Sequence, residues 1–160
     1  MPARRLDPLR LRAALDAQRA VLGAAPLTGL DSVSELGAAC ADAVIAALDA
    51  GIEPQREALR VAVIHTLDVL AARVPGRAVE VRVPPFGAVQ AVAGPTHTRG
   101  TPPNVVETDA RTWMLLAAGR LDWSAAMASR AIRASGPRSD LSHYLPVWSP
   151  VSLERRHPPS

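Results

Sequence analysis

Residues 79–145 read VEVRVPPFGAVQAVAGPTHTRGTPPNVVETDARTWMLLAAGRLDWSAAMASRAIRASGPRSDLSHYL, and the order of elements in this stretch decides the fold. It opens on Val79–Val83, where Val79, Val81 and Val83 alternate with Glu80 and Arg82. That period of two predicts a strand with one buried and one wet face. Pro84-Pro85 interrupts it, because neither residue can donate to a sheet ladder. Phe86–Ala93 reads as a second strand, Gly94-Pro95 as a turn, and Thr96–Arg99 as a short third strand. After the Gly100–Pro103 turn, Asn104–Thr108 reads as a fourth. Asp109 or Thr108 then caps a helix bearing Trp113, Leu116 and Ala117, which Gly119 ends. Asp122 caps the next helix, with Trp123, Ala126, Met127 and Arg130 on it. Ala131–Ser135 is a fifth strand, and Ser139 or Asp140 starts a last helix through Tyr144.

Towards the N-terminus the pattern changes to a helical period. Asp7 caps a helix with Pro8 at its first position and Leu11, Ala14, Leu15, Gln18 and Leu22 on one face, and Gly23 stops it. Ser32 and Glu35 have capping-box spacing at the start of a second helix, whose stripe is Leu36, Cys40, Ala43, Val44 and Ala47 and whose end is Gly51. A third helix begins near Pro54 and runs to about Arg73. Leu59, Val63, Leu67, Leu70 and Val74 are spaced on it for a buried face, and Pro75-Gly76 closes it. Beyond residue 145 the chain turns Pro- and Arg-rich, the composition of a tail ordered only at its root. There is no internal repeat.

With 160 residues the chain is one domain, or one domain with an extension. Apolar residues make up 48%, chiefly Ala, Val and Leu, while aromatics make up 3%, so the few large side chains should occupy special packing positions. All 18 basic residues are Arg. Despite a pI of about 10.3, the net charge is only +3, with the arginines dispersed among 15 acidic residues. No basic patch forms, and nucleic acid is not an expected partner. Cys40 stands alone, which excludes a disulfide framework and a Cys-based zinc site. No apolar core follows the charged N-terminus, and no window approaches the roughly 20 apolar residues of a membrane span. The expectation is a cytoplasmic protein with no integral membrane segment.

Several residues invite a chemical reading, and each has a plainer one. GPTHTRGTPPN pairs glycines with Arg99, but three prolines remove the donors that an anion loop needs and a strand follows, so turn chemistry is the better reading. His97, Arg99 and Glu107 lie close enough in sequence for acid/base work, or they are polar side chains on the wet face of a sheet. His65, with Asp68 three residues on, has no second ligand at a useful helical spacing. Cys40 falls on an apolar stripe and reads as a small buried hydrophobe. No nucleophile elbow, zinc-protease motif, dinucleotide fingerprint or phosphate loop is present, so neither a cofactor nor a metal is expected. The large apolar residues remain. Phe86, Val89, Val105, Trp113, Leu116, Leu121, Trp123, Met127, Ile132, Leu141 and Leu145 can converge between sheet and helices, either as a solid core or as the lining of a pocket.

The segment VVETDARTWMLLAAGRL, Val105–Leu121, resembles the strand, capped helix and G-[KR]-L turn of the sterol carrier protein family, in its actinobacterial, bacterial-orthologue branch. Ala131–Leu145 is similar to that family's return strand and closing helix, and the likeness covers roughly Leu67 to Val147. In place of the family's Asp-Gly-Lys hairpin stands the proline-rich VPPFGAVQAVAGPTHTRGTPPN. The resemblance implies an α+β fold: a mostly antiparallel five-stranded sheet covered on one face by helices, around an apolar tunnel for sterols, fatty acids or acyl-CoA esters. A related domain ends the mycothiol-dependent maleylpyruvate isomerases, whose metal belongs to the other domain; the N-terminal helices here are too short and too poor in His to supply one.

The expected organisation is an N-terminal helical extension (1–52), a sterol-carrier-like α+β domain (53–147) and a flexible tail (148–160). The leading functional expectation is non-enzymatic binding or transfer of a lipid or other apolar small molecule. A second is a fully packed interaction module acting through its surface, including as a homodimer. A third is an enzyme built on the His97, Arg99 and Glu107 region.

Overall fold

The structure, a computed structural model, describes residues 6–95 and 104–151. The chain divides into two units: one runs to His65 and resumes at Pro150, and the other is Thr66–Ser149.

The first unit begins with α1 (Pro8–Val21). Asp7 accepts from the Leu9 N–H at 3.0 Å with Pro8 at the first helical position, so the cap and the ring together fix where the helix starts. Helix α2 (Val33–Asp49) starts on a complete capping box: the Glu35 N–H donates to Ser32 Oγ at 3.1 Å, and the Ser32 N–H to Glu35 Oε2 at 3.1 Å. The Ser32 N–H, then the Ser32 hydroxyl and the Asp31 N–H, donate to the Glu35 carboxylate and hold its pKa below the ordinary value. Beyond the ends of α1 and α2, Gly23 (φ +70°) and Gly51 (φ +69°) take the left-handed conformation that closes a helix at least cost in glycine. Leu11, Leu15, Leu27, Leu36, Cys40 and Val61 form the core between α1, α2 and the first turns of α3 (Arg56–Arg73). The Gln55 N–H donates to Gln18 Oε1 at 2.7 Å, which ties the root of α3 to α1. Arg12 donates to the carbonyl oxygens of Leu27 and Leu30, and Arg19 to that of Ala25 at 2.7 Å, so α1 also holds the loop before α2. The returning chain is held by Val151, whose N–H donates to Asp42 Oδ1 at 3.2 Å.

The second unit is organised around one sheet of β1 (Val79–Val83), β2 (Gly87–Ala91), β3 (Val105–Thr108) and β4 (Ile132–Ser135), in the order β2-β1-β3-β4. The pairs β1/β2 and β3/β4 are antiparallel, whereas β1/β3 is parallel. This corrects the expected five-stranded, mostly antiparallel sheet: among the described residues the sheet has four strands and is mixed. The expected strand at Thr96–Arg99 lies outside the described residues.

The parallel pair follows from where the chain leaves β2. The β1–β2 hairpin brings Ala91 back opposite Val79, at the end where β1 began, and Val105 starts opposite Glu80 at that same end. β3 therefore sets off from that end in β1's own direction. Buried Asn104 secures the start of β3. Its Nδ2 donates to Ala78 O at 2.7 Å, its Oδ1 accepts from the Arg138 N–H at 2.8 Å, and its carbonyl accepts from the Glu80 N–H at 3.0 Å. Val92 leaves β2 at φ +67°, a conformation costly for a β-branched residue. It is held by bonds from its own N–H to Val74 O and to its carbonyl from the Ala78 N–H. At Gly76 a Cβ would meet the Val92 carbonyl oxygen at 2.1 Å, so only glycine fits there.

Helices α4 (Ala110–Ala117) and α5 (Trp123–Ala128) lie between β3 and β4 in the chain. The helix expected from Ser139 or Asp140 through Tyr144 is a single 3-10 turn, Ser142–Tyr144. The reason is local: Pro146 follows closely, and Leu145 before it takes the extended conformation (φ −107°, ψ 145°) that ends the turn. Among the described residues no helix is long and apolar enough to cross a membrane.

Candidate functional site

The sheet of the second unit has two unlike faces. Register places Val81 beside Val106 and Thr108 beside Ile132, so one face carries Val79, Val81, Val83, Val106 and Ile132, all nearly or fully buried. The other carries Glu80, Arg82, Glu107 and Arg133. On it Arg82 Nε donates to Glu80 Oε1 at 2.5 Å, and Arg133 stands 3.9 Å from Glu107. Alternating charges on an open sheet face are a solvated ladder, and pairs this exposed contribute little.

Helix α4, which follows β3, buries an apolar side of its own. Asp109 caps it twice, accepting from the Thr112 N–H at 2.9 Å and from Thr112 Oγ1 at 2.8 Å. The 3.6-residue period then turns Trp113, Met114, Leu116 and Ala117 inward. Trp113 is 1% exposed, and its Nε1 donates to Thr66 Oγ1 at 2.9 Å; Thr66 Oγ1 in turn lies 3.6 Å from Met114 Sδ. A buried indole N–H needs such an acceptor, and having one fixes the ring in place. Trp113 is therefore a wall of this interior.

Helix α5 is held otherwise. Asp122 stands at its start without a side-chain cap bond, and Ala126 is its one buried residue. Trp123 is half-buried and Met127 is 39% exposed. The helix packs beside β4 and gives way to it through Arg130, at φ +59°, and a bond from the Ala131 N–H to Ala126 O at 2.9 Å. Thr108 Oγ1 donates to Ala131 O at 2.8 Å, which pins the start of β4 to the end of β3. The half-buried Phe86, in the turn after the cis Pro84–Pro85 peptide, lies at that same end of the sheet, because Arg82 pairs with Glu107 just beyond it.

The expected apolar residues thus fall into separate groups. Trp113, Leu116, Ile132 and Leu141 are core, between 0 and 4% exposed. Phe86 and Met127 belong to the end of the sheet where α5 runs into β4, and Val89 is half-buried on β2. Leu121 and Leu145 lie at the other end of α4, where the Leu121 N–H donates to Leu115 O at 3.2 Å and the Val147 N–H to Ala117 O at 2.9 Å. Val105 sits on the charged face, opposite Glu80. Of the polar candidates, Glu107 is half-buried on that charged face, and His97 and Arg99 lie outside the described residues. Thr66 escaped the sequence reading. Its one signal was a hydroxyl set within the apolar run of α3.

In the first unit Cys40 is fully buried, and desolvation, followed by the nearby Asp16 charge, pushes its thiol up to about 12. Such burial favours the protonated thiol over the thiolate. His65 lies against Gly37, where a Cβ would stand 2.6 Å from Nδ1. Among the described residues no group of three or more His, Cys, Asp and Glu is placed to hold a metal ion. A family model described as bacterial SCP ortholog matches residues 55–147. No curated protein matches the chain.

Proposed function

The chain belongs to the family of bacterial SCP (sterol carrier protein) orthologs, and on that premise we propose that the unit Thr66–Ser149 binds an apolar or amphipathic small molecule, without a chemical step, where α5 meets β4. The observation that supports this reading is the weak attachment of α5. A single buried residue, an aspartate with no cap bond and an exposed methionine leave little to hold it closed. Helices of this length do not persist without packing, so α5 opens more readily than the core it adjoins. Opening it bares Ala126 and the neighbouring start of β4, Ile132, while Trp113 stays tied to Thr66. The ligand then takes the place of α5's own apolar contacts, and Met127 adapts to its shape. Phe86, at the same end of the sheet, closes the opposite side of this mouth.

Titration with palmitate and with a sterol, read by tryptophan fluorescence, tests the reading. Saturable binding is expected, with a change in emission that disappears in Trp123→Phe and persists in Trp148→Phe. No saturable change with either probe, in a protein that remains folded by circular dichroism, contradicts it.

A further inference from the structure

Helices α1, α2, α4 and α5 all close on the same pair of backbone bonds. In each, a left-handed residue two places beyond the helix donates to a carbonyl of the last turn, and the residue after it reaches back to the carbonyl just before. For α1, α2 and α4 the left-handed residue is Gly23, Gly51 or Gly119, at φ +70°, +69° and +71°. For α5 it is Arg130, at φ +59°. Its N–H donates to Met127 O at 3.1 Å, and the Ala131 N–H reaches Ala126 O at 2.9 Å. Glycine takes this conformation freely, whereas an L side chain crowds its own backbone there.

No contact of the side chain offsets that strain. Arg130 is exposed and makes no side-chain hydrogen bond or ion pair among the described residues, while Glu107, on the strand beside β4, faces Arg133. A positive charge at the end of a helix does not call for the left-handed position either. Arg19 and Arg73 supply one to α1 and α3 from within the last turn. Strain kept at a residue with no partner inside the chain points to a partner outside it.

We propose that Arg130 binds the anionic head of the molecule taken up where α5 meets β4, which makes the ligand an amphipathic acid and not a neutral lipid. The inference rests on the reading of α5 as the cover of that site and supplies the site's polar end. Arg130 stands at the junction itself, between the last turn of α5 and the start of β4, and is bonded through its N–H to exposed Met127. An apolar chain that replaces the contacts of α5 meets Ala126, Ile132 and Met127, and its head emerges beside Arg130. The guanidinium there is a planar, permanently charged set of donors that matches a carboxylate.

Laurate and 1-dodecanol, which share one chain and differ in charge, test the assignment by tryptophan fluorescence titration of the full chain. The unsubstituted protein is expected to bind laurate about tenfold more tightly than dodecanol. Arg130→Gly should abolish that preference, leave dodecanol binding unchanged and raise the melting temperature, because glycine relieves the turn. Arg130→Gln keeps a left-handed side chain without the charge and should abolish the preference as well, whereas Arg130→Lys retains most of it. Equal affinity of the unsubstituted protein for the two probes overturns the assignment and leaves an apolar site at α5 standing. A laurate preference that survives Arg130→Gln also overturns it, and so does a melting temperature lowered by Arg130→Gly, which would mean that the side chain serves the fold. Binding of neither probe removes the apolar site and the role of Arg130 together.

Discussion

Helices α4 and α5 follow one another, each preceded by an aspartate and each bearing a tryptophan, yet the fold treats them as opposites. Of its eight residues α4 buries six, whereas α5 buries one of six. Asp109 accepts two hydrogen bonds from Thr112 while Asp122 makes no cap bond. Trp113 is sealed in and bonded to Thr66; Trp123 is half-buried. The difference separates a helix built into the core from one held at its edge. Burial and capping set how much free energy a local opening requires, and α5 has little of either.

The largest expected contrast is between the tryptophans. Trp113→Ala removes a fully buried ring and the donor to Thr66 Oγ1, at a cost of about 3–5 kcal/mol in urea unfolding. Trp123→Ala should cost well under half of that, because its ring is already half in water. Equal losses would mean that α5 is as much a part of the core as α4. A smaller contrast lies in the caps. Asp109→Ala is expected to lower stability by about 1 kcal/mol, and Asp122→Ala by a few tenths at most. A full-sized loss at Asp122 would reveal a cap formed in solution and weaken the distinction.

That contrast also shows where sequence reading reaches its limit. Asp109 and Asp122 stand alike before their helices, and nothing within the chain says that only one finds its donor, since that depends on how deeply the following turn is packed. The same holds for Val105 and Val106. A period of two admits either as the inward residue, and only pairing with β1 puts Val106 inside and Val105 opposite Glu80. Strand alternation at Val79–Val83 was legible because one face is fully buried and the other charged, and the starts of α1, α2 and α4 were legible because their caps are satisfied locally. The parallel β1/β3 pair was not, for it is set by where the connection returns and by the bonds of Asn104. Asp140 offered helix-cap chemistry, but Pro146 leaves room for only one turn after it. Trp113, Leu116, Ile132 and Leu141 could be named as interior from their hydrophobicity, but the bond that fixes Trp113 to Thr66 could not.

The most direct measurement is amide hydrogen exchange across residues 110–128, with and without palmitate. The expected result is fast exchange in α5 against strong protection in α4 for the free protein, with palmitate slowing α5 and leaving α4 unchanged. Equal protection of the two helices in the free protein, or an α5 indifferent to palmitate at saturation, would contradict the role of α5 as the cover of an apolar site.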